Sequence, residues 1–178
     1  MIFVLQNATM TILGIDPGSL RCGWGCIARK NNRLVLLGAG VIRGQGEHLA
    51  ERLACITRAL DDILTQYQPM VASFETAFHG KNAQSALVLG HARGAAMATV
   101  ARSGCRVFEY TAGQIKSIAA GHGRASKEQV QSMICAILGI PEGLPLDASD
   151  AVAAAICHAE THDTPTAALL RKLTSENR

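Results

Sequence analysis

The sequence has no run of apolar residues long enough to cross a membrane. Residues 1–5 are apolar, but the segment is too short for a signal peptide and has no basic start. Internal repeats, low-complexity linkers and blocks of like charge are also missing. These absences argue against membrane, repeat and secreted classes, and we expect a protein of the cytoplasm.

The sequence also lacks the C-x-x-C pairs that are typical of zinc sites and redox motifs. Most of its six cysteines lie inside apolar runs, which predicts buried, reduced thiols rather than a disulfide framework. They are Cys22, Cys26, Cys55, Cys105, Cys135 and Cys157.

The 178 residues suit one domain, and 48% of them are hydrophobic, enough for one large core. A net charge of +3 gives only a weak indication of a polyanionic partner. Met10 directly precedes the first good strand, so we expect a domain over residues 10–160. Residues 1–9 are then an extension and 161–178 a tail, both expected to be poorly ordered.

Hydrophobic periodicity and turn residues divide the chain into alternating elements. Three strands follow one another, with the hairpin turn Asn31-Asn32 between the second and third, and a β-α-β alternation comes next. This order predicts an α/β fold with a five-stranded mixed sheet flanked by helices on both faces. The predicted strands are 11–16, 23–30, 34–42, 71–75 and 106–110, and the predicted helices are 47–67, 83–102, 113–120, 126–138 and 146–160.

Four carboxylates stand at positions where such a sheet forms sites. Asp16 and Glu75 each close a predicted strand, and sites form at the carboxyl ends of parallel strands. Asp147 and Asp150 are three residues apart at the start of the last helix and share one face. Helix amino ends favour acids in any case, so these two residues could simply stabilise the helix.

Acids that converge at the head of a buried helix repel one another at neutral pH, and metal ions relieve that repulsion. Oxygen ligands alone select hard ions such as Mg²⁺ or Mn²⁺. Two ions roughly 3.5–4 Å apart can hold the attacking and the leaving oxygen of a phosphoryl displacement. The acids therefore predict metal-assisted hydrolysis of a phosphodiester.

An ordered set of motifs carries a family resemblance over about residues 11–160. The set resembles the bacterial Holliday-junction resolvases of the RuvC family. The motifs are Gly14–Ser19, Gly23–Gly25, Phe74–Asn82, Ser85–Gly94, Tyr110–Lys116 and Asp147–Ala151.

The resemblance implies an RNase H-like fold and a homodimer that nicks a four-way DNA junction symmetrically, in recombination and repair. It further implies two Mg²⁺ ions per site, with Mn²⁺ as a substitute, and products with a 5′ phosphate and a 3′ hydroxyl. A branch-migration helicase complex is the implied partner.

Carried over motif by motif, the resemblance gives roles to eight residues. It makes Asp16, Glu75, Asp147 and Asp150 the catalytic metal ligands.

The same resemblance gives the remaining roles to DNA contacts. Lys116, as a catalytic cation, and Lys127 match lysines near the scissile phosphate, where a cation stabilises developing charge. Phe78 matches an aromatic residue that stacks on an unpaired base, and Lys81 belongs to the same DNA-binding loop. The alternatives are solvated surface lysines and a phenylalanine tucked into the core.

The helix predicted over residues 83–102 is rich in small residues. Gly90 and Gly94 would let another helix approach closely, either within the chain or across a dimer. The family resemblance favours the dimer, because paired nicks need two sites related by a twofold axis. Arg93, Arg102 and Arg106 either contact phosphates or only add solubility.

Three other functions share parts of this pattern. Actin-like ATPases also begin with Gly-Ile-Asp-x-Gly, but they need a second glycine-rich phosphate loop, which this chain lacks, and nucleotide binding discriminates them. An RNA-processing nuclease of the same fold would use the same acids. A catalytically idle junction-binding protein is hard to reconcile with four acids, which would weaken DNA binding without metal.

Overall fold

The computed structural model describes residues 10–76, 82–121, 123–141 and 143–162, which form one sheet with helices on both faces. The predicted α/β architecture is thereby confirmed. The strands are β1 (Thr11–Asp16), β2 (Arg21–Lys30), β3 (Arg33–Arg43), β4 (Val71–Glu75) and β5 (Arg106–Tyr110). The helices are α1 (Leu49–Tyr67), α2 (Ala83–Arg102), α3 (Ala112–Ala120), α4 (Lys127–Leu138) and α5 (Leu146–His162).

Four elements, β1, β4, β5 and α2, have the predicted bounds, and the others differ by one or two residues. Helix α1 begins later than predicted because His48 stands outside it and donates its backbone N–H to the Glu51 carboxylate at 3.1 Å. Helix α5 runs two residues further than predicted, to His162, so the expected tail does not begin at residue 161. Residues 1–9 and 163–178 lie outside the described residues.

The five strands lie in the order β3-β2-β1-β4-β5. The first three form an antiparallel meander, whose hairpin turn places Asn31 and Asn32 at positive φ, as predicted. Strands β4 and β5 continue the sheet parallel to β1. The carboxyl ends of β1, β4 and β5 therefore meet at one edge of a mixed sheet.

Apolar side chains on the two faces of the sheet build two core layers. Strand β1 shows the alternation: Ile12 packs in the layer that holds α3, α4 and α5, and Leu13 and Ile15 pack in the layer that holds α1 and α2. The six cysteines carry free thiols, and all but Cys55 are buried, as expected. None of the helices in the described part of the chain combines the length and apolar character that a membrane crossing requires.

Glycines form the floor on which α5 lies. Gly14 of β1 and Gly25 of β2 are direct partners in the sheet, and a Cβ at Gly14 would stand 1.8 Å from the Ala151 carbonyl oxygen. Farther along the same face, the Ser73 hydroxyl donates to the Ala154 carbonyl at 2.7 Å. The backbone of α5 thus rests directly on the backbone of the sheet, closer than larger side chains would allow.

We predict that Gly14→Ala destabilises the protein by about 3 kcal/mol or more, because the new methyl meets a backbone carbonyl and the helix must lift away. The matched control is Gly113→Ala, in the first turn of α3, where the nearest atom to the added Cβ is 3.9 Å away. There the change should be neutral or stabilise by up to about 1 kcal/mol. Urea unfolding of both variants measures the difference, and equal stability of the two would contradict the close packing.

Candidate active site

Two of the four predicted acids meet at the carboxyl edge of the sheet. Asp16 ends β1 and Glu75 ends β4, and the parallel register pairs the preceding residues, Ile15 with Phe74. The alternation along each strand turns both carboxylates toward α5, the face on which Gly14 and Ser73 touch that helix. The expected convergence of the two strand ends is therefore what the fold produces.

Helix α5 brings the other two acids to the same edge. Asp147 and Asp150 lie in its first two turns. Gly23, the sheet partner of Asp16, lies under this end of the helix, and a Cβ there would stand 1.9 Å from the Asp147 carbonyl oxygen. The close approach that Gly23 permits therefore sets Asp147 beside the end of β1.

A cleft of about 320 Å³ opens between these elements. Three of the four acids line it, whereas Asp147 does not. The full lining is Asp16, Pro17, Glu75, Thr76, Leu89, Arg93, Lys127 and Asp150.

Asp16 is the acid whose ionisation the site opposes most strongly. Burial and the nearby carboxylates of Asp150, Glu75 and Asp147 raise its pKa to about 7, although Lys127 partly offsets this rise. The pKa of Glu75 is also raised, by burial first and by Asp150 second. Both shifts report a surplus of negative charge in a half-buried place.

Basic side chains hold the two helix acids. The Arg21 Nε donates to Asp147 Oδ2 at 2.5 Å, and the Lys127 ammonium donates to Asp150 Oδ2 at 2.8 Å. The contact with Asp150 raises the pKa of Lys127. The observed partners of both carboxylates are thus basic side chains rather than the helix backbone.

Lys116, the second lysine of the prediction, lies beside the cleft. It lines an adjoining pocket of about 190 Å³ together with Glu75, Lys127 and Asp150. Its charge lowers the pKa of Glu75, which places the two side chains within electrostatic reach. The structure therefore brings both predicted lysines to the predicted acids.

Arg93 lines the cleft too, but it is turned toward the protein. Its guanidinium donates to the Glu75 backbone carbonyl and to the Glu109 carboxylate, and it lies over the Phe74 ring, 5.6 Å from the ring centre. Its side chain is only 12% exposed. Arg93 thus fastens the end of β4, a role that differs from both sequence-based alternatives, phosphate contact and solubility.

The donor set fits a hard divalent cation by its chemistry. All four acids offer oxygen alone, and the raised pKa values of Asp16 and Glu75 show that positive charge is favoured there. Within the described ranges, no three His, Cys, Asp or Glu side chains are arranged to hold an ion as they stand. An ion bound at Asp147 or Asp150 would compete with the basic side chains that already contact these carboxylates, Arg21 and Lys127.

Two predicted DNA-binding residues, Phe78 and Lys81, lie outside the described residues, within the gap between Thr76 and Asn82. Sequence reasoning missed Arg21, which is paired with an acid 126 positions away. The only signal in the sequence was its place two residues before Gly23, the glycine on which Asp147 rests.

The chain matches known proteins over nearly all of its described length. Residues 12–158 match the sequence model of the family described as crossover junction endodeoxyribonuclease RuvC. A relative of that name from Geobacter sp. (strain M21) is 50% identical over 163 residues, which cover 91% of this chain and 98% of the relative.

Solved structures agree with the sequence match. The Thermus thermophilus RuvC structure is 31% identical and superposes with a TM-score of 0.79, covering 86% of this chain and 96% of that one. T. thermophilus RuvC in complex with a Holliday junction substrate gives 33% identity and a TM-score of 0.78, covering 84% and 93%. Since the family match extends from β1 into the end of α5 and holds all four acids, the chain belongs to the RuvC family of crossover junction endodeoxyribonucleases.

Proposed function

We propose that this chain resolves four-way DNA junctions by paired, symmetric nicks during recombination and repair. The observation that carries the proposal is the convergence of four carboxylates on one sheet edge, in a member of a family of metal-dependent nucleases. The solved relative was bound to a Holliday junction, which supports the same substrate here.

The four acids are proposed to bind two Mg²⁺ ions, which Mn²⁺ could replace. Asp16 would be shared by the two ions: with Asp147 and Asp150 it would hold one ion, and with Glu75 the other. Bound there, the ions supply an activated water and a positive charge opposite the leaving oxygen. Hydrolysis would form a bond from the water oxygen to phosphorus and break the bond from phosphorus to the 3′ oxygen, which takes up a proton. The products would carry a 5′ phosphate and a 3′ hydroxyl.

The lysines are proposed to act on the phosphate itself. Lys127 is 63% exposed although it is paired with Asp150, so its ammonium can also reach a substrate at the cleft. Lys116 and Lys127 both line the adjoining pocket, together with Glu75. Two cations near Glu75 would stabilise the charge that develops on the phosphoryl oxygens. Phe78 and Lys81, which precede α2 in the sequence, stay proposed DNA contacts.

A homodimer is proposed because paired nicks need two sites related by a twofold axis. The surface that suits this interface is the exposed face of α2. Leu87 is 61% exposed there, and a Cβ at Gly90 or Gly94 would have no described atom within 4 Å. Two such faces could pack closely against each other. A branch-migration helicase complex is the further partner that we propose.

We predict that the protein cuts a synthetic immobile four-way junction in Mg²⁺ but not in EDTA. Asp16→Asn, Glu75→Gln and Asp147→Asn should each lower the rate by about three orders of magnitude or more, a loss of about 4 kcal/mol of transition-state stabilisation. Junction binding in EDTA should persist or tighten, because each change removes negative charge. The matched control is Asp62→Asn, on the exposed face of α1.

Linear duplex, RNA–DNA hybrid and structured RNA serve as substrate controls in the same assay. Cutting of RNA or hybrid in place of the junction would support the catalytic role of the four acids but contradict the proposed substrate. Binding without cutting would favour an idle junction-binding protein, and ATP binding without cutting would point to the actin-like class.

We predict that Asp16 makes the metal-free protein less stable as the pH rises. Its pKa is about 7 in the folded state against an ordinary value of 3.8, so folding favours the protonated form. That contribution is fully present below about pH 4 and is lost as the pH rises through 7. In EDTA, the free energy of unfolding of Asp16→Asn, taken relative to that of the wild type, should therefore increase by about 3 kcal/mol between pH 4 and pH 8.

Denaturant unfolding across this pH range measures the gain, with Asp62→Asn as the control that should follow the wild type. Saturating Mg²⁺ at pH 8 should stabilise the wild type more than Asp16→Asn, because the ion binds only the folded site. A constant difference between the two proteins across the range would show that Asp16 is not destabilised by its neighbours.

We predict that Leu87→Glu converts the dimer to a monomer, because it places a charge at the centre of the proposed α2 interface. Met133→Glu is the matched control, since this residue is also exposed on a helix, at 43%, but lies on α4. Sedimentation velocity separates the two forms. A dimeric Leu87→Glu protein would show that the interface lies elsewhere.

A further inference from the structure

Arg21 is the side-chain partner of one of the four acids, Asp147. It begins β2, and its Nε donates to Asp147 at 2.5 Å. The arginine side chain is 49% exposed and that of Asp147 is 30% exposed. Among the described residues, only the Nε of Arg21 is hydrogen-bonded, so this half-exposed side chain retains further donors.

Asp147, the acid that Arg21 contacts, differs from the other three acids in its position relative to the cleft. Asp16, Glu75 and Asp150 line the cleft, whereas Asp147 does not, although its backbone rests on Gly23 beside the end of β1. The helix is therefore in place, and the Asp147 carboxylate is turned aside toward Arg21.

Arg21 also lines a second groove, of about 410 Å³, between the β1–β2 turn and the start of α2. Leu89 lines both this groove and the catalytic cleft, so the two are adjacent. Ser19, Gln84 and Ser85 add polar groups to a mainly apolar lining, and Leu20 beside them is 64% exposed. A DNA strand that passes through the cleft would continue into this groove.

We infer that Arg21 exchanges Asp147 for DNA: it holds the carboxylate in the metal-free protein, yields it to a divalent ion, and then binds a phosphate of the strand in the groove. The inference rests on the proposed function, since it requires a metal at the acids and DNA at the cleft. Arg21 is here a positioning residue for Asp147 and a DNA-binding residue, not a group that touches the reacting atoms.

Charge balance supports the exchange. A divalent ion brings twice the charge of a guanidinium to the same carboxylate, and its presence repels the cation that it replaces. A freed guanidinium keeps its fork of donors, whose geometry matches two phosphate oxygens. The side chain needs only to turn about its own bonds, because Arg21 already lines the groove and is half exposed.

The first experiment measures Mg²⁺ binding to DNA-free protein by calorimetry. Arg21→Gln should bind Mg²⁺ about 3- to 10-fold more tightly than the wild type, because the competing cation is gone. Arg102→Gln is the matched control: it breaks an exposed ion pair with Asp61, far from the acids, and should leave Mg²⁺ affinity unchanged. The Arg21 Nε–H resonance of the wild type should shift during the same titration.

The second experiment measures the salt dependence of junction binding, with Ca²⁺ in place of Mg²⁺ to avoid turnover. In Ca²⁺, Arg21→Gln should reduce the slope of log Kobs against log salt by about 0.9, the loss of one phosphate contact, and Arg21→Lys should retain most of it. In EDTA the slope measured for Arg21→Gln should equal that of the wild type, because Arg21 of the wild type is then bound to Asp147 and not to DNA. Arg102→Gln should match the wild type in both buffers.

The two experiments test different parts of the inference, and each can contradict its part alone. Unchanged Mg²⁺ affinity in Arg21→Gln would overturn the competition for Asp147, and an equal loss of slope in both buffers would overturn the exchange. A wild type that binds Mg²⁺ but no junction would instead overturn the proposed function, while the Mg²⁺ titrations would still decide whether Arg21 competes.

Discussion

The direct contact between α5 and the sheet is the constraint on which the rest of the structure depends. Gly14, Gly23 and Gly25 leave no side chain between the helix and the strands at three positions of β1 and β2. An alanine-rich helix matches that floor, since Ala151 and Ala155 approach it with their backbones. Close contact at the middle of the helix is what delivers the acids at its head to the strand ends.

The site that results is assembled against electrostatic preference. Two acids, Asp16 and Glu75, respond with raised pKa values, and the other two, Asp147 and Asp150, recruit cations. The folded core supplies the stability that this arrangement costs. A site that is unfavourable by itself is well prepared for a positively charged ligand, because binding relieves a repulsion that already exists.

The sequence carried enough information for the strand ends but not for the side-chain partners. Asp16 and Glu75 could be placed together because parallel neighbours end at one edge, and i, i+3 spacing put Asp147 and Asp150 on one face. No periodicity could reveal that Arg21 pairs with Asp147, 126 positions away, or that Arg93 turns inward onto the end of β4. Those contacts follow from packing, which local pattern does not encode. Likewise, the end of α5 at His162 depends on tertiary contacts beyond its apolar run.

The hydrogen bond from Ser73 to the Ala154 carbonyl fixes where α5 stands along its own axis. Asp150 is four residues before this anchor, a distance of about 6 Å along the helix. One inserted residue between them would advance the acids by about 1.5 Å and rotate them by about 100°. The segment between the anchor and the acids therefore tolerates changes of side chain more readily than changes of length. Its number of residues sets the position of the carboxylates relative to the sheet.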